Sequence, residues 1–266
     1  MDISIIGSGN VAWHLAKFFR QHGHRIVHIY NRTASHAQVL ADAVSAQFST
    51  SFENLATVPI DLLVIAVNDD AIEEVVRQIT PAWETIVVHT SGATAIDILG
   101  DFEKHGVIYP PQSISRHIDS QLADIPFAIE GCTEEVANIL LRSMQAMAPK
   151  SFLCNSEQRL ALHVASVFVN NFPNALYQIA YEILEQRGLD FELLRPLILE
   201  TAKKVQYRIP YTVQTGPASR NDQRTMDTHL RFLSDNDDLT EIYQQLTSVI
   251  LGNSCKQQLN YTQDNK

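Results

Sequence analysis

Five polar residues recur at helical spacing within an apolar segment in the second half of the chain. They are His163, Ser166, Asn170, Asn174 and Tyr177. Intervals of three and four residues place them on one face of a helix. We expect this face to be buried, so that its polar groups need partners from the protein or from a ligand.

Proton transfer is the chemistry that this stripe suggests. A histidine can donate a proton at neutral pH, and an amide can orient a polar substrate. We expect His163 to donate the proton, Asn170 to orient a small-molecule substrate and Asn174 to contact it. Hydrogen bonding between packed helices would explain the same stripe.

A glycine-rich turn near the N-terminus has the residue types that bind a pyrophosphate. Apolar residues 3–6 lead into Gly7-Ser8-Gly9-Asn10-Val11-Ala12, and an amphipathic helix follows. In doubly wound folds this arrangement sets a pyrophosphate against a helix N-terminus. The second glycine lets the backbone approach the phosphates. We expect residues 7–11 to contact a dinucleotide; a glycine turn without a ligand is the alternative.

The end of the second predicted strand indicates which dinucleotide would bind. Asn31, Arg32, Thr33 and Ser35 follow this strand, and no acidic residue is among them. NAD-dependent enzymes usually place an acid here for the ribose hydroxyls, whereas a basic residue suits an additional phosphate. A guanidinium can bind that phosphate through two hydrogen bonds. We therefore expect NADP; in the alternative, Arg32 is a solvated charge and Thr33 only caps the next helix.

Two further strand ends are candidates, because ligands of open α/β sheets bind at the carboxyl ends of the strands. Val67 and Asn68 end one apolar strand, and His89 and Ser91 end another. We expect the first pair near the adenosine or the diphosphate. The second pair should lie near the nicotinamide, with Ser91 also a catalytic candidate. Alternatively, His89 is satisfied by the backbone at the strand end.

A loop in the second half of the chain has residues that could bind an anionic group of a substrate. Thr215 has the side chain of an N-cap, and Pro217 suits a first helical turn, so the loop around Gly216 could direct amide donors at an anion. Arg220 could bind a carboxylate, or it could pair with Asp222 on the surface. We expect Thr215, Gly216, Arg220 and Asp222 to contact the substrate.

The order of the predicted elements places these residues in two domains. Strands and helices alternate through residues 1–154, which predicts an α/β fold with a doubly wound, mostly parallel Rossmann sheet. Residues 155–266 show helical periodicity without strand patterns, so we predict an all-helical substrate domain. Its first helix should kink at Pro173, which lacks an amide hydrogen.

Composition excludes several other classes of function. The net charge is −10 and no Lys/Arg cluster occurs, which argues against a nucleic-acid partner. The three cysteines, Cys132, Cys154 and Cys255, are far apart and have no metal-ligand spacing. No apolar run is long enough to cross a bilayer, and no basic leader precedes the first strand. We expect a cytoplasmic protein without a metal site or a membrane partner.

The motifs together resemble those of a known group of enzymes. The group includes pyrroline-5-carboxylate reductase, 6-phosphogluconate dehydrogenase, ketopantoate reductase and the deazaflavin-dependent NADP reductases. More closely, the chain resembles a family of uncharacterised Rossmann-like NADP oxidoreductases with a helical C-terminal domain of unknown function. The matching segments are Gly7-Ser8-Gly9-Asn10-Val11-Ala12, Asn31-Arg32-Thr33, His89-Thr90-Ser91-Gly92-Ala93, residues 163–171, and Thr215-Gly216-Pro217 through Asp222.

The resemblance implies NADP(H) binding and a homodimer formed largely through the helical domain. β-Hydroxyacid dehydrogenases of this group use a helix lysine one turn before an asparagine as proton carrier. Aligning Asn171 with that asparagine puts Val167 at the lysine position, so lysine-based catalysis is not expected. The family pattern also suggests a histidine before a proline near the end of a late strand, where this chain has Tyr109.

These observations favour an NADPH-dependent oxidoreductase that reduces a small carbonyl or imine compound. Two alternatives stay open. The chain could be an enzyme similar to pyrroline-5-carboxylate reductase, with the Thr215 loop binding the carboxylate of a cyclic imino acid. It could also be a regulatory protein that binds NADP without turning it over, and the missing lysine motivates that alternative.

Overall fold

The structure is a computed structural model that describes residues 1–53, 55–82, 84–116 and 122–263, with side chains described through residue 252. The chain forms two compact units, Met1–Tyr177 and Gln178–Lys266. The boundary predicted after residue 154 instead marks the change from strands to helices, and as a domain boundary it stays a prediction. Among the described residues, no helix is both long and apolar enough to cross a membrane.

The first unit is built on an eight-stranded sheet. Its strands are β1 (Asp2–Ile6), β2 (Arg25–Tyr30), β3 (Gln47–Ser49), β4 (Leu62–Ile65), β5 (Ile86–His89), β6 (His105–Tyr109), β7 (Ala128–Gly131) and β8 (Phe152–Leu153). The spatial order is β3-β2-β1-β4-β5-β6-β7-β8. All neighbouring strands are parallel except β6 and β7, which are antiparallel. The chain order reverses between β1 and β4, which is where ligands bind in doubly wound sheets.

Helices follow most of the strands of this unit. They are α1 (Asn10–Gln21), α2 (Ala34–Val44), α3 (Asp69–Gln78), α4 (Glu134–Gln145) and α5 (Ser156–Ser166), with α6 (Phe172–Glu185) continuing into the second unit. Short 3₁₀ helices cover Ile96–Leu99 and Leu122–Asp124. The alternation of strand and helix confirms the predicted α/β Rossmann class.

Apolar residues cover both faces of the central strands. Leu62 and Val64 of β4 belong to the cluster that contains the apolar faces of α1, α2 and α4. Leu63 and Ile65 belong to the opposite cluster, against α3. Successive residues of a strand point to opposite faces, so β4 is buried on both sides, as in parallel sheets generally. The packed sheet fixes the positions of the strand ends, where the candidate residues lie.

The second unit is helical. It contains the end of α6, then α7 (Arg195–Tyr207), α8 (Gln223–Leu233) and α9 (Asp237–Gln263). Short 3₁₀ helices cover Phe191–Leu194, Pro210–Val213 and Ala218–Arg220. A helical region therefore follows the sheet, as predicted.

Candidate active site

The glycine turn between β1 and α1 has the shape of a phosphate-binding loop. Gly7 has a φ of 113°, and a Cβ at this position would lie 2.2 Å from the carbonyl oxygen of Ala66. Its amide donates to the carbonyl of Tyr30 at 2.8 Å. Both the conformation and the close contact with Ala66, the residue after β4, exclude any other residue. Gly7 is therefore required by the fold itself.

Gly9 is different from Gly7, because neither its backbone conformation nor a close contact requires a glycine at this position. Its φ of −72° is open to any residue, and an added Cβ would meet no atom within 4 Å. No side chain caps α1, and its first turn carries no acidic residue. The space above Gly9 therefore lies outside the protein, at the positive end of a helix. A pyrophosphate that must approach the backbone closely fits this space.

A cleft of about 370 Å³ collects the predicted cofactor residues at the ends of three strands. Its lining includes Gly7, Ser8, Gly9, Asn31, Arg32, Val67 and Asn68. These residues come from the ends of β1, β2 and β4, which are neighbours in the sheet. Sequence reasoning missed Phe52 on the same cleft, because it follows the short strand β3. The cleft therefore brings together residues that are far apart in the sequence at one edge of the sheet.

An adjoining hollow of about 440 Å³ surrounds the end of β2. It is lined by Ser8, Gly9, Asn10, Asn31, Arg32, Thr33, His36 and Arg116. Thr33 occupies the N-cap position of α2 without a capping hydrogen bond from its side chain, so the alternative of a capping role is not supported. Ser35 is exposed outside this lining, and Val11 packs against the core.

The loop after β5 is held by its own polar groups. His89 is fully buried, and its Nδ1 accepts a hydrogen bond from the Ser91 amide at 3.2 Å. Burial, followed by the charge of Arg159, lowers the pKa of His89 to about 4, so the ring is neutral. The Ser91 hydroxyl accepts from the amides of Ala93 and Thr94, at 3.1 and 2.9 Å. The side chains of His89 and Ser91 therefore stabilise this loop through hydrogen bonds to its own amides. A ligand contact of His89 would have to come from its backbone.

The predicted proton donor is hydrogen-bonded to a tyrosine from the neighbouring strand. The hydroxyl of Tyr109, the last residue of β6, lies 3.0 Å from Nδ1 of His163 on α5. Burial raises the pKa of this hydroxyl, while the Ser166 side chain opposes the shift. The hydrogen bond occupies Nδ1 of His163, whichever of the two groups donates. Nε2 is the ring nitrogen that the described hydrogen bonds leave for a ligand.

Gly92 lets the His163 ring approach the end of β5. A Cβ on Gly92 would lie 2.7 Å from both Cγ and Nδ1 of that ring. The imidazole therefore sits directly on the His89–Gly92 loop. Because β5 and β6 are parallel neighbours, His163, Ser91 and Tyr109 meet at the same edge of the sheet as the glycine turn.

A buried arginine fixes α5 in this position, and sequence reasoning missed it. Arg159 is 1% exposed, and its guanidinium forms an ion pair with Glu130 of β7. It also donates to the carbonyl of Thr94 at 2.6 Å and to Ser156 Oγ at 3.2 Å. Arg159 lies one turn before His163, so it ties the start of α5 to the loop that the histidine contacts.

The polar stripe is not one buried surface, contrary to the prediction. His163 and Ser166 are half-buried, whereas Asn170, Asn174 and Tyr177 are exposed. A π-helical turn over Val167–Asn171 separates α5 from α6, directly before Pro173. This wider turn rotates the second part of the helix relative to the first, so spacing counted on a regular helix misleads here. No described side chain hydrogen-bonds to Asn170 or Asn174.

The Thr215 loop folds differently from the prediction. The nearest helical segment, Ala218–Arg220, is a single 3₁₀ turn whose N-cap is Pro217, so Thr215 caps no helix. Gly216 has a φ of 108°. Asp222 instead caps α8, where its carboxylate accepts from the Thr225 amide at 3.1 Å and from its hydroxyl at 2.8 Å.

Arg220 makes no ion pair with Asp222 within the described contacts. The hydrogen bonds from Thr225 lower the pKa of Asp222 most, and the charge of Arg220 adds to them. The carboxylate thus already has partners in the helix cap. Because this loop belongs to the second unit, its part in substrate binding stays a prediction.

Comparisons with known proteins agree with this architecture. Residues 1–114 match a family described as a Rossmann-like domain. Residues 125–250 match the domain of unknown function DUF2520. No curated protein matched the sequence.

Solved structures extend the likeness over nearly the whole chain. The Bacteroides fragilis protein BF3122, described as a "putative NADP oxidoreductase", is 36% identical, with a TM-score of 0.86 over 94% of this chain and 98% of that one.

Two more distant structures share the fold. A Streptomyces aurantiacus imine reductase is 15% identical, with a TM-score of 0.64 over 97% and 99% of the two chains. A Streptococcus pyogenes 1-pyrroline-5-carboxylate reductase is 16% identical, with a TM-score of 0.58 over 96% and 98%. From the two domain matches and the BF3122 likeness, the chain belongs to the family of proteins that join an N-terminal Rossmann-like domain to a C-terminal DUF2520 domain.

Proposed function

We propose that this protein is an NADPH-dependent reductase of a small imine or carbonyl compound. The observation that carries the proposal is the placement of a hydrogen-bonded Tyr109–His163 pair and an open glycine cleft at the same edge of one sheet. The description of BF3122 as an NADP oxidoreductase supports the redox class. The imine and pyrroline reductases share the fold, which makes C=N compounds the first substrates to test.

The residues present fit a nicotinamide dinucleotide. The free space above Gly9 and the uncapped start of α1 would receive the pyrophosphate. Arg32 at the end of β2, where no acid occurs, would bind an additional phosphate, so NADP is proposed over NAD. When bound, the reduced nicotinamide would supply a hydride.

The role of His163 is to supply the proton that balances this hydride. Hydride addition to the carbon of a C=N or C=O bond leaves an electron pair on nitrogen or oxygen, which must take a proton. An imidazolium at His163 would give its Nε2 proton to that atom and be left as a neutral imidazole, while Nδ1 keeps its hydrogen bond to the Tyr109 hydroxyl. Solvent would then restore the Nε2 proton. Asn170, exposed one to two turns further along the helix, is proposed to orient the substrate.

Reductase assays with NADPH would test this role. Cyclic imines, including 1-pyrroline-5-carboxylate, and small aldehydes and ketones form the substrate set. For a substrate that is turned over, we expect His163→Ala to lower kcat by about 10²- to 10⁴-fold, the usual contribution of a positioned acid. His22→Gln, at the exposed C-cap position of α1, is the matched control. Unchanged turnover in a folded His163→Ala protein would remove His163 from the mechanism.

The pyrroline-5-carboxylate alternative is decided by the same assay. Turnover of 1-pyrroline-5-carboxylate alone would support this alternative. Turnover of other imines, with no turnover of 1-pyrroline-5-carboxylate, would exclude it. The non-catalytic alternative predicts NADPH binding without turnover and a closed polar network along the stripe. The exposure of Asn170 and Asn174 argues against such a network.

The resemblance to dimeric reductases leads to a further part of the proposal, a homodimer through the helical region. Large apolar side chains along this region are exposed in the single chain, among them Phe168, Leu193, Leu197, Tyr207 and Ile209. Exposed apolar surface of this extent is typical of protein interfaces.

A further inference from the structure

We propose that Arg116 is a second cationic ligand for the phosphate that distinguishes NADPH from NADH, acting together with Arg32. The inference rests on the proposed function, because it concerns the same cofactor cleft. It adds a residue that comes from a different part of the chain. Sequence reasoning did not single out Arg116, since it lies far from the glycine turn along the sequence.

The segment that carries Arg116 is fixed on the first turns of α1. The Arg116 amide donates to Oδ1 of Asn10 at 3.2 Å. The His14 ring nitrogen Nε2 lies 2.9 Å from the carbonyl oxygen of Ser115. Ile114 packs against the core beneath the sheet. The backbone of residues 115–116 is therefore attached to α1 at two points, which brings a cation to the start of this helix.

The Arg116 guanidinium is also oriented. Its Cζ lies 4.0 Å from the centre of the Trp13 ring, within the range of a cation–π contact. A cation–π contact needs no hydrogen-bond acceptor, so the N–H groups of this guanidinium can still bind a phosphate through two hydrogen bonds. The contact with Trp13 thus positions the side chain beside the hollow.

The charges around the hollow are unbalanced. Arg32, Arg116 and His36 line it together, and no carboxylate of the described residues does. Neither arginine forms an ion pair within the described residues, although the protein as a whole carries a net charge of −10. The two guanidinium groups line the same hollow and have no carboxylate partner among the described residues. This arrangement favours the binding of an anion.

The position of the hollow identifies the anion. It is the space at the end of β2 beside Thr33, where the ribose of a dinucleotide lies in doubly wound folds. A phosphomonoester on that ribose has two negative charges at neutral pH, which matches two arginines. The pyrophosphate is the competing choice, since Ser8 and Gly9 also reach this hollow. The two assignments differ in outcome, because NADH has the pyrophosphate and lacks the phosphomonoester.

The test is a pair of titrations, with NADPH and with NADH, of the full chain and its variants. Binding is followed by nucleotide fluorescence and by quenching of tryptophan fluorescence, since Trp13 lies under Arg116. We expect Arg116→Ala to weaken NADPH binding by about tenfold or more, the value of a charged hydrogen bond, and to leave NADH binding within about twofold. The NADPH affinity of Arg116→Lys should lie between those of the wild type and Arg116→Ala, because lysine keeps the charge and lacks the planar guanidinium.

Lys17 provides the matched control. Its Nζ lies 5.9 Å from the same Trp13 ring, but it does not line the hollow. Lys17→Ala should therefore bind both nucleotides as the wild type does. Thermal melting of each variant separates loss of a ligand contact from loss of fold.

Each outcome decides one of the two proposals. Wild-type affinity of Arg116→Ala for NADPH would overturn the assignment, and so would equal losses for NADPH and NADH, which would place Arg116 on the pyrophosphate. If the wild-type protein binds neither nucleotide, the proposed function fails before any variant is compared.

Discussion

The two compact units of the chain differ in where they keep their apolar side chains. In the first unit, the central strands are buried on both faces, and α1 to α4 contribute to the two apolar clusters. In the second unit, only Ala218 and Met226 are buried among the described apolar residues. Leu193, Leu197 and Tyr207 there are 65%, 61% and 85% exposed.

This difference indicates what each unit needs in order to be stable. Burial of apolar surface is the main favourable contribution to folding, so the first unit has an ordinary domain core of its own. The helical unit leaves much of the corresponding surface in water. A second copy of the chain, covering this surface, is the partner that we propose.

The largest effect is expected where the sheet ends and the helices begin. Arg159→Met should remove about 3–5 kcal/mol of stability, because it leaves Glu130 without its partner in a mostly buried position. Arg77→Met breaks an exposed pair with Glu73 and should cost less than about 1 kcal/mol. Urea unfolding of both variants compares them. Equal effects would mean that Arg159 does not anchor α5 to the core.

A smaller change in stability is expected when the pH is lowered, and its source is a residue of the first unit. His89 is neutral in the fold, with a pKa of about 4 against an ordinary value of 6.5. Between these values the unfolded chain binds a proton that the folded chain does not, so stability is lost as the pH falls from 6.5 towards 4. The loss is at most about 3 kcal/mol.

His89→Asn provides the comparison for this pH dependence, because an amide oxygen can replace Nδ1 as acceptor for the Ser91 amide. Unfolding measured at several pH values should show a shallower slope for this variant. The same slope in both proteins would exclude His89 as its source.

The smallest effect on stability is expected in the helical unit. Leu197→Asp, combined with Leu193→Asp, should change the stability of the single chain by less than about 0.5 kcal/mol, since both side chains are mostly exposed. Light scattering should nevertheless show the mass fall from two chains to one. Gln206→Asp, on the same helix α7, controls for the added charge. If the wild-type protein is a monomer, the contrast between the units has another cause.

Sequence patterns predicted the fold well where local residue types decide it. The glycine turn, the buried strand β4 and the helices that follow most of the strands depend on neighbouring residues and were expected. The strand β3 was missed, because Gln47–Ser49 is short and carries polar residues at the edge of the sheet. The Rossmann class does not depend on it.

The candidate site was less predictable, because it is built from residues far apart in the chain. His163 was expected from helical spacing. Its partner Tyr109 is 54 residues away in the sequence and comes beside it because β6 ends next to α5 in the folded chain. In the sequence, nothing distinguishes Arg159 from an exposed helix arginine, because its partner Glu130 lies on a strand 29 residues earlier. The π turn before Pro173 is not visible in a pattern counted at regular helical spacing, which is why the stripe was expected to be continuous.

NADPH titration of Gly9→Ala beside the wild-type protein tests the central claim most directly. An added Cβ at Gly9 meets no protein atom, so the fold should be unchanged, whereas the approach of a pyrophosphate should be blocked. We expect melting within about one degree of the wild type and NADPH affinity lower by at least about tenfold. Wild-type affinity in this variant, or no binding by the wild-type protein, would contradict the assignment of the cleft to a dinucleotide.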